Sequence, residues 1–119
     1  MSQENVAMIK DTVLNYLEGI RSANAERIND AFYSSVNLSS VDESGNLVLT
    51  PKDSLIAYAT GPDIPKNTSE IMNVEVINDM AFVKARIDLP EYQFYDFLTL
   101  LKLNTGWKIV SKTYTTVYP

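Results

Sequence analysis

The side chains that could do chemistry in this chain are few, because its 119 residues include no His and no Cys. Without them a Ser-His-Asp or Cys-His nucleophile system cannot be built, and an ordinary zinc site lacks its ligands. Acid–base work falls to Asp, Glu, Lys and Tyr, each of which needs a large pKa shift to serve near neutrality. Asp96 and Lys112 form one candidate constellation. They stand on the two arms of a long hairpin, Gln93 to Val117, that reverses at Asn104-Thr105-Gly106. A three-residue loop with Gly106 left-handed sets Leu103 opposite Trp107 and Asp96 diagonal to Lys112. That spacing allows a cross-strand ion pair worth about 0.2–1 kcal/mol. Such a pair lines a pocket or an interface, or else is a partly exposed structural contact, which is its ordinary role.

Aromatic side chains make the second group. The chain holds seven Tyr, Tyr92 among them, and Phe32, Phe82 and Phe94 add further ring faces. Rings with a few hydroxyls suit a flat heterocycle or a ring-rich acid, although the hydrophobic core is the default use of most of them. The expected ligand contacts are Tyr16, Tyr58, Arg86, Tyr95 and Trp107, with Arg86 the best single cation for an acidic ligand. No catalytic residue, metal site or cofactor is expected. There is no GxGxxG and no P-loop lysine, and Asp42-Glu43-Ser44-Gly45 lacks the carboxylate spacing of a calcium loop.

Charge and hydropathy narrow the partners. A net charge of −5 and scattered basic residues oppose binding to nucleic acid. No apolar run approaches the roughly 18 residues of a membrane span, and the opening MSQENVAMIKD is not a secretory signal, so a cytoplasmic protein is expected.

The elements that must position these groups follow from periodicity. Val6, Ile9, Val13, Tyr16, Leu17 and Ile20 recur at helical steps, predicting an amphipathic helix from Ser2 to Ala23 with Ser2 as its cap. Gly19 inside that pattern marks a close approach to a neighbour. Asn24 is placed to cap a second helix, Ala25 to Ser34, with Ile28, Ala31 and Phe32 inward. A short hairpin follows, Val36 to Asp42 and Asn46 to Thr50. Thr50 then caps a helix from Pro51 to Ala59, which buries Leu55, Ile56 and Tyr58. A second hairpin, Ser69 to Ile77 and Met80 to Leu89, turns at Asn78-Asp79 and precedes the long one. Helices gathered at the front and antiparallel strands at the back predict one α+β domain, residues 1–119, with helices on one face of a curved antiparallel sheet.

Two stretches carry a resemblance. The run Asn15-Tyr16-Leu17-Glu18-Gly19-Ile20 with Ala25-Glu26-Arg27-Ile28 and Ala31-Phe32 resembles the opening of the nuclear-transport-factor-2-like superfamily. Asp96 to Leu103, Gly106 to Thr113, and the segment Val41-Asp42 with Gly45-Asn46-Leu47 resemble its group of putative lumazine-binding proteins. The resemblance implies a cone, in which a bent sheet wraps the long N-terminal helix and a pocket opens between them. It also implies frequent dimers through the outer sheet face. Steroid isomerases of that superfamily use a first-helix tyrosine, and Tyr16 falls at a matching place. The position of their base lands on Ser40, with Asp42 two residues beyond, so catalysis through Tyr16 with Asp42 or Asp96 is the rival to simple small-molecule binding. A structural or protein-interaction module with no cavity is a second rival.

In the chosen hairpin register Phe97, Leu101, Leu103, Trp107 and Ile109 share one face. Asp96, Leu98, Leu100, Lys102, Lys108, Val110, Lys112 and Tyr114 share the other. Leu98, Leu100, Val110 and Tyr114 would then be an apolar strip facing away from the helices, covered by a second copy in a homodimer.

Overall fold

The apolar stripe Ile9, Val13, Tyr16, Leu17 and Ile20 rolls Ser2–Arg21 into α1 and is buried along its length. The computed structural model describes residues 2–119, and the cap expected of the Ser2 side chain lies outside what is described. After α1 the chain turns through Ala23, whose φ is +54°. It enters α2 (Ala25–Ala31), where the Asn24 side chain accepts from the Arg27 amide at 3.2 Å. A Cβ built on Gly19 would sit 2.7 Å from Cγ1 of the buried Ile28, so the two helices meet where α1 has no side chain. Helix α2 is shorter than its pattern predicts. Phe32 turns extended and bridges to Ile109, while the Tyr33 amide donates to the Ile109 carbonyl at 2.9 Å.

That bridge hands the chain to the sheet. The strands are β1 (Asn37–Val41), β2 (Leu47–Pro51), β3 (Thr68–Ile77), β4 (Met80–Asp88), β5 (Gln93–Leu103) and β6 (Gly106–Val117), ordered β2-β1-β6-β5-β4-β3. The sheet is mixed, not wholly antiparallel as expected, because β1 runs parallel to β6 with Leu38 beside Lys112. The Phe32 bridge already points the chain in that sense, and β1 continues it. Helix α3 (Lys52–Thr60) leaves β2 directly: Pro51 is its N-cap with no side-chain bond, and Thr50 stays in the strand instead of capping. Helix α1 packs against β3 and β6 and against both other helices, so the inner sheet face is covered. Among the described residues no helix is long and apolar enough to cross a membrane.

The long hairpin differs from its expected register. Leu103 pairs with Gly106 and Lys102 with Trp107, a two-residue reversal. Left alone, that would put Trp107 and Leu100 on one face throughout and turn Lys112 and Tyr114 outward. A bulge intervenes: Leu100 pairs with Ile109 but Thr99 with Ser111, so Val110 is the extra residue. The bulge flips the alternation of β6, and Trp107, Ile109, Lys112 and Tyr114 all face inward with Asp96, Leu98 and Leu100. The strip proposed as an outer dimer surface is therefore largely core, with Leu98 and Leu100 fully buried. Phe97 and Leu101, expected inside with Trp107, lie on the outer face and are exposed.

Candidate functional site

Behind α3 the bent sheet does not close on the helices, leaving a cavity of about 280 Å³. Its inner end is formed by Ile20 of α1, Leu38 of β1, Ile87 of β4 and Lys112 of β6, all buried. Tyr58, Leu55 and Ser54 of α3 stand on one side, with Phe94, Tyr114 and Thr116 across from them. Ile64 and Asn67 of the loop after α3 complete the rim. The lining is overwhelmingly apolar, and none of its residues is Asp or Glu. At the mouth the Tyr58 and Tyr92 hydroxyls lie 3.3 Å apart, and partial burial with that contact pushes the Tyr58 pKa up to about 12.

Lys112 is the only cation on that wall among the described residues. Its Nζ donates to Tyr16 Oη at 2.6 Å, and Tyr16 Oη donates to Asp96 Oδ2 at 2.5 Å. Lysine and carboxylate do not bond directly: Nζ and Oδ2 are 3.9 Å apart. The ammonium also lies 4.9 Å from the centroids of the Tyr16 and Tyr114 rings, within cation–π range. All three polar groups are buried, with Tyr16 and Asp96 at 0% exposure. Burial pushes the Asp96 pKa up, against the pull of Lys112 and the Tyr16 hydrogen bond. It pushes Lys112 down, against the attraction of Asp96. The Tyr16 phenol is held well above its usual range by burial and by the neighbouring carboxylate. Asp96 Oδ1 has no hydrogen-bond partner among the described residues, which adds to the cost of its charged form.

The residues singled out from the sequence are dispersed. Tyr58 is on the cavity wall, and Tyr16 lies one hydrogen bond behind it. Trp107 is in the core away from the cavity, 3% exposed, with its carbonyl accepting from Thr12 Oγ1 at 3.0 Å. Arg86 and Tyr95 pair across β4 and β5 on the outer face. There Arg86 is held by Asp88 at 2.9 Å and Glu70 at 3.0 Å. Asp42, the carboxylate paired with Tyr16 in the isomerase reading, caps the β1–β2 turn by accepting from the Ser44 and Asn46 amides, and it is exposed. The expected diagonal of Asp96 and Lys112 is present, since Asp96 pairs with Tyr114 and Leu98 with Lys112. It is buried, however, not partly exposed, because α1 closes over it. Lys112, read in the sequence as half of a pair lining a pocket or an interface but not named among the ligand contacts, is on the cavity wall. The available signal was a lysine inside a strand flanked by residues that must face the core.

A bent sheet closed over a long helix, with a one-ended cavity between them, defines a nuclear-transport-factor-2-like protein. The chain belongs to the family described as "Putative lumazine-binding", which it matches over residues 4–115. Among solved structures it is similar to a protein of this fold and unknown function from Shewanella baltica OS155. That likeness has a TM-score of 0.88 and 24% identity over 100% of this chain and 98% of the other. A second such protein, from Silicibacter pomeroyi DSS-3, gives a TM-score of 0.84 and 24% identity over 98% of each chain. A ketosteroid isomerase-like protein from Erwinia carotovora atroseptica SCRI1043 gives 0.72 and 19% identity, again over 98% of each. Identities this low speak to the fold alone. No curated protein matches the sequence significantly.

Proposed function

We propose that the chain binds a small, flat, ring-bearing molecule in the cavity behind α3 and does not transform it catalytically. The observation that supports this reading is a largely apolar cavity with Lys112 at its inner end and Thr50, Ser54, Asn67 and Thr116 elsewhere on its lining. At about 280 Å³ it is at the small end of ligand pockets, so one or two fused rings fill it. The family name suggests a lumazine-like heterocycle, and the bare pteridine-2,4-dione ring is of that size. An isomerase-type reaction, as the name of the Erwinia relative suggests for that protein, calls for a carboxylate on the cavity wall. Asp42 is in a surface turn, and Asp96 is screened from the cavity by Lys112 and Tyr16.

The test is binding with the cavity open and filled. Indole and pteridine-2,4-dione, added at about 100 times their Kd, should raise stability by about 2.7 kcal/mol in thermal melts. Ser54→Trp, which places a ring over the wall of α3, should abolish the shift. No shift with either compound, or an equal shift in the variant, would refute the reading.

A second copy of the chain is the partner we infer for the outer sheet face. Phe97 is 52% exposed there, and its ring lies 5.4 Å from that of Phe82, an apolar pair in the middle of a wide sheet.

A further inference from the structure

The cavity ends on Lys112, and its amine, a hydroxyl and a carboxyl are joined in a chain there. Nζ of Lys112 donates to Tyr16 Oη, which donates to Asp96 Oδ2, and no shorter contact joins the ends. A proton can therefore move from the ammonium through the phenol to the carboxylate, leaving a free amine and a carboxylic acid. Burial favours that neutral pair on both sides. A lysine desolvated in an apolar pocket is the form that attacks carbonyl carbon.

We propose that Lys112 is a covalent anchor, whose amine forms an imine with an aldehyde or ketone on a small, flat, largely apolar ligand. The proposal rests on the cavity being a binding site. It begins with the Lys112 ammonium giving a proton to Asp96 by way of Tyr16. The Nζ lone pair then forms a bond to the carbonyl carbon, and the C=O π pair moves to oxygen. That oxygen takes a proton from nitrogen, giving a neutral carbinolamine. The C–O bond breaks, and the hydroxyl leaves as water with the proton returned from Asp96 through Tyr16. The products are a Lys112 iminium, the Asp96 carboxylate and one water; nothing is oxidised or reduced.

Charge selects this chemistry over binding of an acid. The only basic group on the wall among the described residues, Lys112, either is matched by Asp96 or has given it its proton, so a carboxylate ligand would bring an uncompensated negative charge into an apolar cavity. A carbonyl brings none, and the iminium keeps the positive charge of Lys112 where Asp96 can still meet it. The groups facing Nζ are Tyr16 from α1, Asp96 from β5 and Tyr114 from its own strand, and none of them supplies a second cation.

The experiment treats the whole chain with benzaldehyde and sodium cyanoborohydride, followed by intact mass and peptide mapping. One benzyl group per chain should appear first on Lys112, ahead of the exposed Lys66 and the half-buried Lys84 of the outer sheet face. Tyr16→Phe should slow that labelling about a hundredfold, since it removes the proton relay. A loss of rate at Lys112 that leaves Lys84 labelling unchanged separates this from unfolding. Benzyl alcohol, the same body without the carbonyl, reports on the cavity alone. Stabilisation by benzyl alcohol with Lys112 labelled no faster than Lys84 would overturn the anchor and leave the binding reading standing. Absence of both would overturn the two together. Mapping on the unmutated chain decides the matter even if substitutions at Lys112 fail to fold.

Discussion

Lys112 Nζ and Asp96 Oδ2 lie 3.9 Å apart in the core without touching, and the Tyr16 hydroxyl occupies the space between them. One phenol from the first helix thus joins a basic and an acidic group on the last two strands. Three buried polar groups depend on one another, and each is costly alone.

Lys112→Met removes the opposite charge from a buried carboxylate and should cost about 3–5 kcal/mol near neutral pH. Asp96 already has a pKa raised above 3.8 by burial, with Lys112 the main influence pulling it back, so the variant raises it further. A carboxyl whose folded pKa exceeds its unfolded value binds its proton more tightly in the native state. Its contribution to stability is full below 3.8 and is lost as pH rises through the folded value. The deficit of Lys112→Met should therefore shrink as pH falls through that window, followed by urea melts. A deficit that stays constant with pH would show that Asp96 is not the group left stranded. Asp96→Asn added to Lys112→Met should recover most of the loss.

Tyr16→Phe keeps the ring in its edge contact with Phe32, 5.2 Å between centroids, but deletes the shared hydroxyl. Lys112 and Asp96 each lose a bond, and the cost should be about 1–3 kcal/mol. In the parent the phenol pKa is raised well above 10.0, so its contribution is full below pH 10.0 and lost as pH rises through the folded value. Between pH 10.0 and about 12, tyrosinate absorbance should show two fewer ionised tyrosines, Tyr16 and Tyr58, in the folded parent than after unfolding, and one fewer in Tyr16→Phe.

Gly19→Ala should destabilise although Ala is the better helix former by about 1 kcal/mol. The added methyl would lie 2.7 Å from Ile28 Cγ1 and 3.1 Å from the Ile28 amide nitrogen, and overpacking of that kind costs about 1–3 kcal/mol. Gly19→Val should lose more. A more stable Gly19→Ala in chemical denaturation would mean that α2 can move away freely.

Trp107→Ala should cost about 3–5 kcal/mol, because its buried ring fills the space beside Ile109. Its Nε1 has no partner among the described residues, so Trp107→Phe forfeits no hydrogen bond and should cost clearly less. Equal losses in the two variants would point to a bond at Nε1.

Phe97→Lys should leave the melting temperature nearly unchanged while shifting any dimer toward monomer in sedimentation, because Phe97 is exposed on the outer face. Leu100→Lys, by contrast, should unfold the chain, since Leu100 is fully buried. A parent that is monomeric at high concentration would remove the inferred second copy.

The element order, the three hairpins, the helical stripe ending at Ile20 and the close approach at Gly19 were all legible along the chain, because periodicity and turn chemistry are local. So was the diagonal of Asp96 and Lys112, which depends only on which residues oppose each other over the middle of the hairpin. Tyr58 was expected from the aromatic set to touch a ligand and from the helical pattern to be buried; it is on the cavity wall but 41% exposed. Which face the hairpin residues take was not legible. Alternation says which side chains share a side, and a shift of one residue reverses the answer for an entire arm. A two-residue turn and an extra residue at Val110 do this twice, putting Trp107 and Lys112 on the same inner side. Nothing in the composition of Lys108 to Lys112 announces the bulge. It is favoured because it lets the apolar Trp107 and Ile109 and the Tyr16-bonded Lys112 all reach the core. That gain exists only once α1 has been laid across the sheet, a contact between residues nearly a whole chain apart. The sequence determined the parts and their pairing; the burial that turns Lys112 from a surface charge into a cavity amine was decided by the tertiary structure.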